Sequence, residues 1–162
     1  MMLASLLALT VLQGPERPRD IWAFRSVLDD RARMLTLALH NDLWVAYDAT
    51  NCGLYRAWKG GVKFDGAVYT SAHGPQPTSV GAPLIPGIVD VPVWSLSNKP
   101  VNPEFKGYRF ERGGIILQYR VRREGLRDLW IEEQPEVITG ADGSLRLSRQ
   151  FRVRDRRGQK LT

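Results

Sequence analysis

Apolar and polar residues alternate with a period of two along much of the second half of the chain. In residues 115–121 one side of the pattern carries Ile115, Leu117, Tyr119 and Val121, while Gln118, Arg120 and Arg122 take the other side. Residues 145–154 repeat this pattern, and its two sides are Leu145, Leu147, Phe151 and Val153 against Arg146, Ser148, Arg152 and Arg154. A period of two is that of a strand with one buried and one solvated face. Both segments are therefore predicted to be half-buried strands.

Short apolar runs separated by Gly, Asn and Asp turns predict further strands throughout the chain. The predicted strands are 34–39, 43–47, 54–58, 64–69, 106–112, 115–121, 128–133, 135–139 and 144–154. Residues 21–28 predict a strand or one turn of helix, and 91–96 a short strand. No segment shows a 3.6-residue period of helix length. The pattern predicts an all-β fold, an antiparallel β-sandwich of short strands, with a barrel as the related alternative.

Prolines interrupt this pattern between His73 and Pro103, where seven of them occur. Each proline fixes φ and removes a backbone donor, so this region predicts a long, irregular, Pro-rich loop. Long loops inside compact domains usually serve a function or an interaction.

The two ends of the chain suggest how it is organised. Leu3–Leu12 is an apolar run too short to span a bilayer and about as long as the core of a signal peptide. We therefore expect a signal peptide at 1–14, a linker at 15–20 and one β-sandwich domain at 21–162, located in the periplasm or secreted, without a transmembrane span. A short buried N-terminal element is the alternative. A hairpin that starts at Phe151 has little room to return before Thr162, which suggests a domain truncated at its C-terminus.

The net charge of +6 is unevenly distributed. Residues 1–98 hold eight Lys/Arg and eight Asp/Glu, whereas residues 99–162 hold fifteen and nine. A basic region can indicate nucleic-acid binding. Here the arginines alternate with apolar residues instead of clustering, so we expect solvated strand faces and no nucleic-acid partner.

The single cysteine limits the chemistry of the chain. Because Cys52 is the only cysteine in the sequence, the chain cannot form an internal disulfide, a thiolate metal cluster or a Cys-x-x-Cys-His haem attachment. The two histidines, His40 and His73, lack ligand spacing to one another, so we expect no metal site and no cofactor in this chain.

Candidate ligand contacts are concentrated between Leu43 and Pro77, where aromatic residues are dense. They are Trp44, Tyr47, Tyr55, Trp58 and Tyr69. In strand geometry Trp44 and Tyr47 lie on opposite faces, so one face could be core and the other exposed to a sugar ring or a partner domain. The alternative is that all of these rings are core, since Trp and Tyr bury large areas.

Candidate catalytic residues are Asp48, Asp65 and His73. Two carboxylates among aromatics are the groups that glycoside chemistry needs. Both aspartates also lie in good turn sequences, Asp48-Ala-Thr and Asp65-Gly, and turn capping is the simpler explanation. We expect no catalytic activity in this chain alone.

Several segments of the chain resemble a known group of proteins. They are Asp20-Ile-Trp-Ala-Phe-Arg, Leu43-Trp-Val-Ala-Tyr-Asp, Ala57-Trp-Lys-Gly-Gly, Phe64-Asp-Gly-Ala-Val-Tyr and His73-Gly-Pro-Gln-Pro. They resemble the N-terminal module of large exported bacterial proteins that carry a c-type cytochrome domain further along, often with sugar-dehydrogenase-like or glycoside-processing modules. The resemblance implies export and β architecture. It implies haem only in a downstream domain, and it transfers no catalytic residue.

Three functions follow as hypotheses. The first is a binding or scaffolding module of a larger periplasmic redox or sugar-processing protein, with a carbohydrate ligand or downstream domains of the same polypeptide as partners. The second is a hydrolase or metal-dependent enzyme that uses Asp48, Asp65 and His73. The third is a purely structural domain.

Overall fold

The computed structural model describes residues 20–64, 75–87 and 94–154. The strands are β1 (Trp22–Leu28), β2 (Arg31–His40), β3 (Leu43–Asp48), β4 (Gly53–Lys63), β5 (Thr78–Ile85), β6 (Ser95–Leu96), β7 (Lys99–Pro100), β8 (Glu104–Glu111), β9 (Gly114–Val121), β10 (Leu129–Thr139) and β11 (Leu145–Arg154). Helices are absent from these residues, and so is any helical segment able to cross a bilayer. The predicted all-β fold is confirmed.

The strands form two antiparallel sheets that pack face to face as a sandwich. Sheet 1 has the order β1-β2-β3-β4-β5, and sheet 2 has the order β11-β10-β9-β8. Strands β6 and β7 form a separate small hairpin. Each large sheet is a meander in which sequence neighbours are also spatial neighbours, as short connections favour.

The main core lies between the two sheets. Sheet 1 contributes Leu35, Leu37, Val45, Tyr47, Cys52, Leu54 and Ala57, and sheet 2 contributes Ile115, Leu117, Tyr119, Val121, Leu129 and Ile131. The sheet 2 residues lie at alternate positions, so the period-two prediction for 115–121 is confirmed. Leu147 and Val153 of β11 pack against the same core.

Sheet 1 also has a second core, on its other face. This core contains Leu28, Met34, Ala38, Trp44, Ala46, Tyr55 and Trp58, with Phe24 and Val62 packed against it. The face is covered because the sheet curls. Although β1 and β5 are opposite edges in strand order, Asp29 after β1 meets the start of β5: its backbone N–H donates to the Pro77 carbonyl (3.0 Å), and its carboxylate accepts from the Ser79 N–H (2.7 Å).

A glycine pair allows this curl. Gly60 in β4 is paired with Gly81 in β5, and their φ angles are +133° and +124°. L-residues with a side chain rarely adopt these angles. A Cβ on Gly81 would overlap the Lys59 carbonyl oxygen, so the two backbones approach here as only glycine permits.

Two predicted features of the strands are wrong. The predicted Pro-rich loop contains β5, a regular eight-residue strand. Pro83 is tolerated because β5 is an edge strand. The predicted strands 128–133 and 135–139 form one continuous strand, β10, because β11 pairs with it along its whole length, Pro135 included.

Other predictions fall partly or wholly outside the described residues. These are the signal peptide at 1–14, most of the linker at 15–20 and of strand 64–69, the first residues of strand 91–96, and the hairpin beyond Arg154.

Candidate ligand groove

The described aromatic residues proposed as ligand contacts are all buried. Trp58 is fully buried, Tyr47 and Trp44 are 2% and 6% exposed, and Tyr55 is 9% exposed. Tyr47 belongs to the core between the sheets, and the other three belong to the second core of sheet 1. Their role in ligand contact stays a prediction, and their burial favours a core role. Tyr69 lies outside the described residues.

Asp48 is engaged in structural contacts. Its carboxylate forms an ion pair with Arg31 at 3.0 Å and accepts a hydrogen bond from the Thr50 N–H at 2.7 Å. The second contact is the turn capping that the sequence offers as the simpler explanation. Asp65 and His73 lie outside the described residues, so their convergence with Asp48 stays a prediction.

Cys52 is a buried thiol in a core position. Its Sγ lies 3.3 Å from the Pro103 carbonyl oxygen, to which it donates. Burial, and then the charge of Asp48, raises the pKa of the Cys52 thiol to about 12. Because the thiolate is the reactive form, this thiol is not an activated nucleophile.

A buried polar cluster joins the two sheets, and we call it the Glu133 cluster. Glu133 of β10 is fully buried. Its carboxylate accepts hydrogen bonds from the Tyr47 hydroxyl (2.6 Å), the Tyr119 hydroxyl (2.9 Å) and the Arg149 Nε (2.6 Å). Tyr47 reaches it from sheet 1, and the other members come from sheet 2.

The pKa shifts of the residues around Glu133 indicate that this cluster has a structural role. Burial, and then the charge of Glu133, raises the pKa of Tyr47 and of Tyr119. Burial alone would lower the pKa of Arg149, but its hydrogen bond to Glu133 and the carboxylate charge raise it above the usual value. Both tyrosines therefore stay protonated at neutral pH and serve as donors.

The outer face of sheet 2 carries the arginines that the sequence assigned to solvated faces. Arg109 and Arg154 flank Glu132 at 2.9 and 3.5 Å. Arg120 and Arg122 both pair with Glu104. These four arginines are thus paired with carboxylates of the same sheet.

A groove at one end of the sandwich offers an open site, which we call the end groove. It is bordered by the chain entering β1 (20–21), the end of β2 (39–40), the β8–β9 turn (112–114) and the second half of β10 (134–137). Its volume is about 420 Å³. A smaller space of about 250 Å³ adjoins it along Asp20, Ile21, Gly113 and Gly114 and is bordered by Phe110.

The end groove exists because β9 and β10 separate. Their ladder ends at Glu133 paired with Leu117. Beyond that point β10 continues on β11 alone, and the start of β9 continues on β8 alone. Pro135 lies just past the separation, where a residue without a backbone N–H cannot contribute a ladder donor. The predicted strand break near residue 134 therefore coincides with this separation.

Polar groups of the end groove include both donors and acceptors. Gln134 Nε2 donates to Glu136 Oε1 at 2.6 Å, and Gln150 Nε2 donates to Glu136 Oε2 at 2.8 Å. The Asp42 N–H donates to Nδ1 of His40 at 3.3 Å. In neutral imidazole the proton is then on Nε2, which can donate to a ligand.

Sequence reasoning missed these groove residues. It interpreted Gly113-Gly114 as a turn, and the structure places a tight turn there, with φ of +50° at Arg112 and +73° at Gly113. The proximity of Asp20, His40 and Glu136 comes from packing between distant segments, and no local pattern signals it.

The described residues contain no group of three or more His, Cys, Asp or Glu side chains that could hold a metal ion. Comparison of the chain with protein-family models, with curated proteins and with solved structures gives no match.

Proposed function

We propose that this chain is a binding and scaffolding module of a larger exported protein, and that it holds a carbohydrate ligand in the end groove. The observation that carries the proposal is the groove itself, about 420 Å³ in volume and bordered by amide, carboxylate, imidazole and aliphatic groups. This volume lies within the range of roughly 300–1,000 Å³ that is typical of small-ligand pockets, and the lining is more polar than is usual for them, which favours a polar ligand.

The charge balance of the groove supports a neutral ligand. Asp20 and Glu136 are acidic and Arg112 is basic, so the lining has no concentration of positive charge. Phosphate and nucleic-acid ligands call for several convergent cations. Hydroxyl groups of a sugar, in contrast, pair with donors and acceptors alike.

The placement in a larger exported protein rests on the sequence. The apolar run Leu3–Leu12 has the length of a signal-peptide core. The resemblance to modules that precede a cytochrome domain supports further domains downstream, where any haem would be bound.

Glycan-array binding with the full chain tests the proposal. We expect binding to neutral glycans, and we expect Gln134→Ala to abolish it because the amide lies in the groove and fixes Glu136. Gln118→Ala is the matched control, since Gln118 lies on β9 outside the groove lining. An array without a bound glycan, or equal loss in both variants, would refute the proposal.

A further inference from the structure

We infer that the end groove has two adjoining subsites and therefore takes a neutral oligosaccharide of at least two units, with Phe110 as the stacking platform of the second subsite. This inference rests on the proposed function and specifies its ligand. The polar subsite is the 420 Å³ space around Gln134 and Glu136, and the apolar subsite is the 250 Å³ space beside Phe110.

The two spaces share lining residues. Asp20, Ile21, Gly113 and Gly114 border both of them, so one ligand can lie along this shared wall and enter each space. Gly114 lets this wall lie close to the polar space, since a Cβ there would lie 3.2 Å from Nε2 of Gln134.

Phe110 has the exposure that a stacking platform needs. Its side chain is 57% exposed, whereas the described tryptophans and tyrosines of the 43–63 region are buried. Tyr108 holds the ring from one side in an edge-to-face contact, with centroids 5.8 Å apart. A held ring with a solvent-facing surface can cover the apolar face of a pyranose at a low cost in side-chain entropy.

The polar subsite is also preorganised. Two amide donors, from Gln134 and Gln150, hold the Glu136 carboxylate, and a carboxylate with two accepted bonds retains capacity for sugar hydroxyls. A ligand that fills only this subsite makes the hydrogen bonds and forgoes the stacking. Affinity should therefore rise when a second sugar unit reaches Phe110.

Titration calorimetry with the full chain tests the inference, using mono-, di- and tetrasaccharides of the glycan series that the array identifies. We expect the disaccharide to bind about tenfold more tightly than the monosaccharide. Phe110→Ala should remove this gain, so that the variant binds the mono- and the disaccharide with equal affinity. Phe64→Ala is the matched control, because Phe64 is 47% exposed and packs on Phe24, away from the groove.

The outcomes separate the two proposals. Equal affinity for one and two units, or a Phe110→Ala variant with wild-type disaccharide affinity, overturns the two subsites and leaves the groove as a sugar site. Absence of binding to every glycan overturns both. The melting temperature of each variant shows whether an affinity change reflects unfolding.

Discussion

Every residue of β3 in sheet 1 is buried, whereas the fully buried residues of β9 in sheet 2 alternate with more exposed ones along most of the strand. The difference follows from what covers each sheet. Sheet 1 curls over its own outer face and so has a core on both sides. Sheet 2 packs on one side only, and its other side carries Arg–Glu pairs such as Arg109 with Glu132.

This difference teaches where stability and binding are located. Aromatic density in sheet 1 reflects a curled sheet with two cores, so the rings contribute to folding by burial of apolar area. The end groove lies at the rim of the sandwich, where β9 and β10 separate. In a binding module with this fold, the ligand would bind at the rim and the two cores would stabilise the fold.

The largest expected effect is the loss of folding stability when Glu133 is replaced. Its neighbour Glu132 lies on the opposite face of β10 and serves for comparison. Glu133→Gln removes the charge that Arg149 and two tyrosines surround, and it leaves a partly buried guanidinium without its carboxylate. Breaking such a buried pair costs about 3–5 kcal/mol. Urea unfolding, followed by circular dichroism, measures the loss.

Glu132→Gln is the control for this prediction. Glu132 pairs with Arg109 and Arg154 on the outer face, where an ion pair contributes about 1 kcal/mol or less. Equal losses in the two variants would contradict the distinction between the faces. Replacing Glu133 and Arg149 together by leucine and methionine should recover part of the loss, because no unpaired charge remains.

The curl of sheet 1 is tested by its glycine pair. Gly81→Ala introduces a Cβ against the Lys59 carbonyl at a φ of +124°, and we expect a loss of about 3 kcal/mol in the free energy of unfolding. Gly61→Ala, with no atom within 4 Å of its Cβ, should change the stability by less than about 1 kcal/mol. A Gly81→Ala variant as stable as Gly61→Ala would show that the close approach of β4 and β5 is not required.

The closure of the curl depends on Asp29. Its carboxylate accepts from the backbone N–H and the hydroxyl of Ser79, both at 2.7 Å, and from the Tyr55 hydroxyl at 3.3 Å. Asp29→Ala should destabilise the fold by about 2 kcal/mol more than Asp30→Ala. Asp30 has a similar positive φ and an exposed side chain, so the comparison cancels backbone strain. Thermal melts that coincide for the two variants would contradict this role.

Sheet 2 could be predicted from the sequence because only one of its faces is buried. Alternation at 115–121 and 145–154 assigned Leu117 and Val153 to the inside and Arg152 to the outside, and the fold class followed from such segments. Sheet 1 was harder to interpret. Its strands are apolar on both faces, so the pattern could not say whether Trp44 faces a core or a ligand.

The curl and the candidate site depend on contacts between distant residues. Asp29 accepts a hydrogen bond from Ser79, which lies 50 positions further along the chain. Tyr47 donates one to Glu133, which lies 86 positions further along. Nothing in the local sequence of either partner indicates the other. Arg149 shows the same limit, because it shares the apolar side of its strand with Leu147 and Val153, and only the structure shows that its charge meets the buried Glu133.

The smallest effect concerns an ion pair on the outer face of sheet 2. The hydrogen bond from Arg120, with a further one from Arg122, lowers the pKa of Glu104 to about 2. A carboxyl whose pKa is lower in the folded than in the unfolded state stabilises the fold above its unfolded value of about 4.5, and this contribution is lost as the pH falls toward 2.

Arg120 is 22% exposed and Arg122 71%, so solvent screens the second pair more strongly. NMR titration of the Glu104 carboxyl should therefore show a larger rise in pKa for Arg120→Met than for Arg122→Met. Equal pKa values in both variants and the wild type would mean that this face is solvated without being paired.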